Sequence, residues 1–385
     1  MAAATLRGQE EALGFLRAVL RSGHLGHAYL FHGPAGVGKT RAALWFARAL
    51  LCEEPETDRS PCGRCAGCRD AARLRHPDLE LLVPLPTLRT EGRTEKQAEE
   101  ARSEVRATVI QRIASEALFT PVFARPSLHS IEDIARAKRF LSLTARRDGG
   151  AKVLIVKRAE AMTVPAANAF LKMLEEPQSG RVLVLCARRA GALLPTVRSR
   201  CLPVRFAPLA ADFIASALIE ARSLTKETAR LVAATAQGSL GKALEAFEPP
   251  LDGTGREPFE EGEFLRLRTA AIELFVRPRS AAVLGPLRRG RLDRDRARFL
   301  YIVSLALHYY RDTIRYRLFG SGAPLTHADL ALEIAADARA LPIRAAAERV
   351  RTLEEIAAAV QSNVTIPYAV ASAQYRMGLG AGARG

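Results

Sequence analysis

The chain has 385 residues, more than one hydrophobic core usually serves, so two or three domains are expected. Hydrophobic residues make up 48% and charged residues 25%, an ordinary globular balance that excludes a largely disordered chain. No apolar run approaches the roughly eighteen residues a membrane span needs, and collagen, a coiled-coil rod and a disulfide mini-protein are excluded as well. The formal net charge of +16 suggests a polyanionic partner such as nucleic acid. Only eight of the 57 basic residues are lysine, however, and such an arginine skew beside abundant Ala and Gly is what a G+C-rich coding sequence gives whatever the function. Acids are also interspersed in the basic stretches, as in Arg291-Leu-Asp-Arg-Asp-Arg-Ala-Arg298, the pattern of a solvated helix face.

The opening MAAATLRGQEEALGFLRAVL has acids among its apolar residues and reads as an amphipathic helix rather than an export signal, which implies a cytoplasmic protein. Apolar positions recur at helical spacing over Gln9–Ser22. A short apolar run, Ala28–Phe31, is closed by a glycine-rich turn, and Arg41–Leu51 is helical again. Four cysteines follow between Cys52 and Cys68, then a strand over Leu79–Val83. Residues 86–125 pass from a Pro/Thr/Arg loop into a charged helix, Glu95–Ala117, and read as an inserted surface element. Ser130 starts a helix, with Asp133 at the third position after the cap. Strands at Lys152–Val156, Val182–Cys186 and near Leu202–Phe206 alternate with helices over Val164–Glu176 and Leu193–Arg198. That alternation predicts a parallel sheet with helices on both faces, an α/β domain over residues 1–207. Beyond Pro208 three short helices (Asp212–Arg222, Lys226–Ala236, Ser239–Phe247) predict a small helical domain over 208–250, and Pro249–Gly255 reads as a linker. Residues 259–385 predict an all-α domain with no strand signal.

Gly33-Pro-Ala-Gly36-Val-Gly38-Lys39-Thr40 fits G-x-x-x-x-G-K-[ST] between a strand and a helix, the context that gives the pattern meaning. Glycines let backbone N–H groups close around phosphate oxygens, the helix N-terminus adds partial positive charge, Lys39 reaches the β/γ-phosphates, and Thr40 offers a hydroxyl to Mg²⁺. ATP or ADP is therefore the expected ligand. Hydrolysis needs an acidic residue after an apolar strand to hold the metal. The candidate strand instead ends Val156-Lys157-Arg158, with Glu160 two residues further on and expected to point elsewhere. The strand ending Leu185-Cys186-Ala187 offers no polar side chain as a γ-phosphate sensor. The chain thus reads as a nucleotide binder that does not cleave ATP by itself.

Cys52, Cys62, Cys65 and Cys68 give doubled close spacing, and with no secretory signal four thiolates predict a closed, structural Zn²⁺ site within residues 52–78. Cys186 and Cys201 read as packed small residues, and His76-Pro77-Asp78 as a turn.

Taken together, Gly26–Thr40, the four cysteines, Asn168–Pro177, Ser199-Arg200-Cys201, Gly238–Leu244 and His308–Asp312 resemble the clamp-loader branch of the AAA+ ATPases, and within it the delta-prime family of DNA polymerase III. The resemblance runs over residues 5–320, is dense to 245, and lapses at 86–125. It implies an AAA+ domain, a helical lid and a helical collar. It also implies assembly with motor (tau/gamma) and delta subunits to load a sliding clamp onto primed DNA. The Arg200 of the Ser-Arg-Cys motif is implied to act as a trans arginine finger in a neighbour's ATP site. The motor subunits carry Asp-Glu, a polar sensor and a sensing arginine where this chain has Lys157/Arg158, Ala187 and Gly241. A motor-type subunit, a stand-alone P-loop ATPase of DNA repair and a zinc-dependent nucleic-acid-binding module are the alternatives.

Overall fold

The computed structural model describes residues 7–86, 95–116, 118–123, 126–147, 149–248, 251, 258–278, 295–362 and 364–379. Most of the expected linker, the start of the insertion and residues 291–294, the first half of the charged stretch 291–298, lie outside them. The chain divides into two compact units, one of residues 1–221 with 236–258 and one of 222–235 with 259–385.

The first unit begins with α1 (Glu10–Ser22), then β1 (Ala28–His32), α2 (Lys39–Leu50), α3 (Ala66–Ala72), β2 (Leu79–Leu82), β3 (Leu85–Pro86) and α4 (Glu95–Ser115). It continues with β4 (Ser127–Leu128), α5 (Ile131–Ser142), β5 (Lys152–Val156), α6 (Val164–Glu175), β6 (Arg181–Ala187), α7 (Pro195–Arg198), β7 (Leu202–Arg205), α8 (Ala211–Arg222) and, after α9 (Lys226–Thr235) of the second unit, α10 (Leu240–Glu245). Among the described residues the main sheet has five strands in the order β2-β5-β6-β1-β7, every neighbouring pair parallel. Parallel strands need crossover connections and put helices on both faces, so central strands must be apolar on both sides. Accordingly all five residues of β5 are buried, as are four of five in β1. The helices supply the matching stripes. On α6, Ala166, Phe170 and Leu174 recur every fourth residue and join Leu154, Val156, Leu183 and Leu185 in one core. A fully buried side chain of this size contributes about 1.5–3 kcal/mol.

Local chemistry sets the boundaries. Ser130 and Asp133 form the reciprocal capping box expected of them. Pro195 occupies the first turn of α7, so the short helix begins there, after a 3₁₀ turn at Ala190–Ala192. One ion pair of the first unit is buried on both sides: Lys152 Nζ meets Asp78 Oδ1 at 3.0 Å, both side chains 5% exposed or less, and lies 4.3 Å from the centre of the Phe140 ring. Asp78 Oδ2 also accepts the Arg146 N–H.

The second unit is wholly helical among its described residues, with long helices at Glu261–Phe275, Arg296–Phe319 and Ile343–Gln361. Phe259, Phe264 and Tyr301 stack edge-to-face, and the Tyr301 hydroxyl lies 3.3 Å from that of Thr235 on α9. No helix of the described residues is long and apolar enough to cross a membrane.

Candidate functional site

The P-loop sits at the carboxyl edge of the sheet, between β1 and α2, where open α/β sheets bind ligands. Gly33 (φ 148°) and Gly36 (φ 69°) have backbone angles that suit glycine. A Cβ on Gly33 would lie 2.2 Å from the Phe206 carbonyl oxygen, so no side chain fits. Lys39 is buried, and its ammonium donates to the Gly33 carbonyl at 2.7 Å and to that of Pro34. Burial lowers its proton affinity. Those carbonyls hold the lysine at the mouth of the loop, where a phosphate would accept from the same ammonium.

Gly36, Gly38, Lys39 and Thr40 line a single cavity with Lys157, Arg158, Glu160, Cys186 and Arg188 from the ends of β5 and β6. Two walls were not legible from sequence. The first is α10, whose backbone packs on the loop itself: Gly241 N–H donates to the Gly36 carbonyl at 3.0 Å, and a Cβ on Gly241 would lie 2.6 Å from the Gly36 Cα. The second is the insertion, from which Phe119, Thr120, Pro121 and Phe123 line the cavity. It is fastened there by Arg41, next to Thr40, which donates to the carbonyls of Ile113 (2.8 Å) and Glu116 (2.5 Å). At its other end Arg102 and Arg106 of α4 donate to the buried Asp133. The inserted element is therefore part of the pocket as well as surface.

Glu160 corrects an expectation. Arg158 takes a left-handed angle (φ 52°) directly after β5, and the 3₁₀ turn Ala159–Ala161 brings Glu160 back to the cavity. Both its carboxylate oxygens are buried without a hydrogen-bond partner, and Arg188 Nε stands 3.6 Å from one of them.

The four cysteines converge. Their sulfurs all lie within 4.8 Å of one another, with Cys52–Cys65 at 3.9 Å and Cys62–Cys68 at 4.0 Å. Four sulfurs at about 2.3 Å from one ion stand ~3.8 Å apart at the corners of a tetrahedron, so the group fits zinc. Backbone N–H groups of Glu53, Cys62, Cys65 and Cys68 point at sulfurs from 3.3–3.5 Å. The Cys65 N–H pulls the Cys62 thiol down to about 7, whereas burial raises Cys52 and Cys68. Bound here, zinc would supply a structural cross-link with no open position for chemistry. His76 stays in its turn, Nδ1 accepting from the Asp78 N–H.

Arg200 does not figure among the described residues lining the P-loop cavity. It follows α7 at the sheet edge, where Nη1 donates to the Thr196 carbonyl (3.0 Å) and Nη2 pairs with Glu175 Oε1 (3.1 Å). The two side chains are 37% and 48% exposed.

A parallel sheet with this strand order, its P-loop after β1 and a helical element closing on that loop, has the fold of an AAA+ P-loop domain. The model of the family described as DNA polymerase III, delta subunit matches residues 8–210, more than half of the chain, and the chain belongs to that family. It is similar to the delta' subunit of DNA polymerase III from Pseudomonas aeruginosa, 34% identical over 196 residues, 50% of this chain and 48% of that protein. The delta' subunit of Bacillus subtilis is 31% identical over 225 residues, 58% of this chain and 55% of that one. The tau subunit of Bacillus subtilis is 26% identical over 274 residues, 70% of this chain and 41% of that protein. The chain spans about half the length of the curated delta' relatives that it matches.

Proposed function

We propose that the chain is a non-motor subunit of a replicative clamp loader, cytoplasmic, that assembles with motor (tau/gamma) and delta subunits to load a sliding clamp onto primed DNA. In this reading residues 1–207 are the nucleotide-binding domain, 208–250 the lid and 259–385 the collar through which subunits join. The observation that carries the reading is the end of β5, where Lys157 and Arg158 line the P-loop cavity in place of metal-holding acids, in a chain of the DNA polymerase III delta-subunit family. A motor subunit and a repair ATPase both need those acids.

Cys52, Cys62, Cys65 and Cys68 would hold a structural Zn²⁺, and Gly33, Gly36, Gly38, Lys39 and Thr40 the phosphates of ATP or ADP. Arg200 would reach a neighbour's ATP site. Its pairing with Glu175 is surface-exposed, a type worth about 0–1 kcal/mol, so a bound nucleotide's phosphate can displace it. A guanidinium fork there would neutralise transition-state charge, a role worth roughly 10³–10⁵ in rate in the GTPase template.

The test is reconstitution with motor, delta, clamp and primed DNA. The wild-type chain should co-purify in a stoichiometric complex. Arg200→Ala should assemble equally well yet lower clamp- and DNA-stimulated hydrolysis by unmutated motor subunits at least about tenfold. A mutant complex with wild-type turnover assigns Arg200 to Glu175 alone. A chain that joins no complex removes the reading altogether.

A further inference from the structure

A hydrolysing P-loop protein brings an acid to its magnesium ion from the end of the strand that β5 represents here, and this chain brings a lysine. Register fixes the site of that lysine. Val156 pairs with Leu185 and Cys186 pairs with Phe31, so Lys157 steps off the sheet beside Cys186, at the edge from which β1 feeds the phosphate loop. Its backbone is held on both sides. Lys157 N–H donates to the Leu82 carbonyl at 2.9 Å, and its own carbonyl lies 2.7 Å from His129 Nε2. Burial pushes His129 down to about 4, so its ring is neutral, and Nε2 carries the hydrogen that this carbonyl accepts.

The side chain lines the cavity with Lys39, Thr40 and Cys186, and no hydrogen bond engages its ammonium among the described residues. Burial, and after it the charge of Arg41, push that ammonium down to about 8, with Glu245 of α10 opposing. Six basic side chains line the cavity among the described residues, against the two acids Glu160 and Glu245. Glu160 is the acid a metal would need, and Arg188 already faces it at 3.6 Å. A divalent cation entering this field is repelled, whereas a polyphosphate is attracted and relieves the mutual repulsion of Lys39, Lys157 and Arg158.

We propose that the P-loop pocket binds a nucleotide polyphosphate without magnesium, the Lys157 ammonium supplying the positive charge that the metal ion supplies elsewhere. The proposal rests on the reading of Gly33–Thr40 as a nucleotide site. It gives the departure at 157 a function: the same charge that prevents water activation at a metal holds the ligand in its uncleaved form.

Binding of ATP and of ADP to the full chain is measured by calorimetry in magnesium-depleted buffer and again with millimolar Mg²⁺. No chelator is added, and zinc content is checked before and after so that the cysteine module stays loaded. The dissociation constants should agree within about threefold across the two buffers, and Lys157→Gln should weaken magnesium-free binding about tenfold or more. Wild-type binding that requires Mg²⁺ overturns this inference and leaves the nucleotide site standing. Absence of binding in both buffers overturns both readings. Unchanged affinity in Lys157→Gln overturns the role of this lysine, and if that variant does not fold, the wild-type comparison still decides.

Discussion

Replacing Cys65 with serine separates the metal from the helix it caps. Cys65 is the N-cap of α3, its sulfur accepting the Cys68 N–H at 3.3 Å, and serine is a preferred residue at that position. Cys65→Ser therefore retains the cap and removes one of four ligands. The apolar core of the module is the cysteines themselves, Cys52, Cys65 and Cys68 with Cys62 packed against them. A structural zinc supplies about 10–16 kcal/mol of folding energy in zinc-finger peptides, and metal loss belongs to the mechanisms that exceed the ~4–5 kcal/mol which few substitutions reach. That exceeds anything three buried cysteines provide alone, so residues 52–72 should unfold locally while the sheet, buried on both faces, persists. Elemental analysis should give one zinc per wild-type chain and none in the variant. Hydrogen exchange should lose protection over 52–72 and keep it over β1, β5 and β6. Acid should act in the same direction. The metal is held by thiolates, so each ligand gives up its proton on binding and acid that returns those protons releases the ion; the Cys65 N–H eases this at Cys62 by lowering its thiol. Burial raises Cys52 and Cys68, from which the metal must expel protons, and this too weakens binding at low pH. A freshly purified, reduced wild-type chain without zinc, or a Cys65→Ser chain with full protection at 52–72, would refute the assignment.

Gly241→Arg, which installs the arginine of motor subunits, should abolish nucleotide binding instead of restoring hydrolysis, because its Cβ would meet the Gly36 Cα at 2.6 Å; turnover by the variant contradicts the backbone packing described here. Lys152→Met strands the buried Asp78 carboxylate and should lower unfolding free energy in urea by about 3–5 kcal/mol, and a loss below about 1 kcal/mol would mean that the pair is hydrated in solution.

What could be read from sequence was local. The strand–loop–helix around Lys39, the doubled cysteine spacing, the capping box at Ser130 and the apolar runs of β1, β5 and β6 all lie within short windows, where periodicity and spacing act directly. What could not be read depends on distant partners. Arg41 binds carbonyls more than seventy residues away, and α4, which carries no strong apolar stripe, is placed by Arg102 and Arg106 on Asp133. Glu160 was misjudged because a left-handed angle at Arg158, a residue type that seldom adopts one, turns the chain back. Lys152 is charged and buried at the start of β5, and no local pattern shows that: its partners are Asp78, the Pro77 carbonyl and the Phe140 ring, which are distant in sequence or on another element.

The two basic edges of the AAA+ domain are set up for different uses. At the P-loop, the cations sit on a held frame: Lys39 is tied to two loop carbonyls, Arg158 donates to Ser127, and the backbone that carries Lys157 is held by Leu82 and His129. At the far edge, Arg200 is half-exposed and tied to one exposed carboxylate and one carbonyl. A fixed cluster suits a ligand that stays, since pre-organised charge loses little on binding. A loosely paired guanidinium suits a partner that comes and goes, because a weak surface pair is easily given up. In the proposed assembly the chain would thus hold its own site constant while its arginine responds to a neighbour's nucleotide. Such a division requires that hydrolysis be blocked at the first edge, which is the part the proposal gives to Lys157, at the position where a metal would be held.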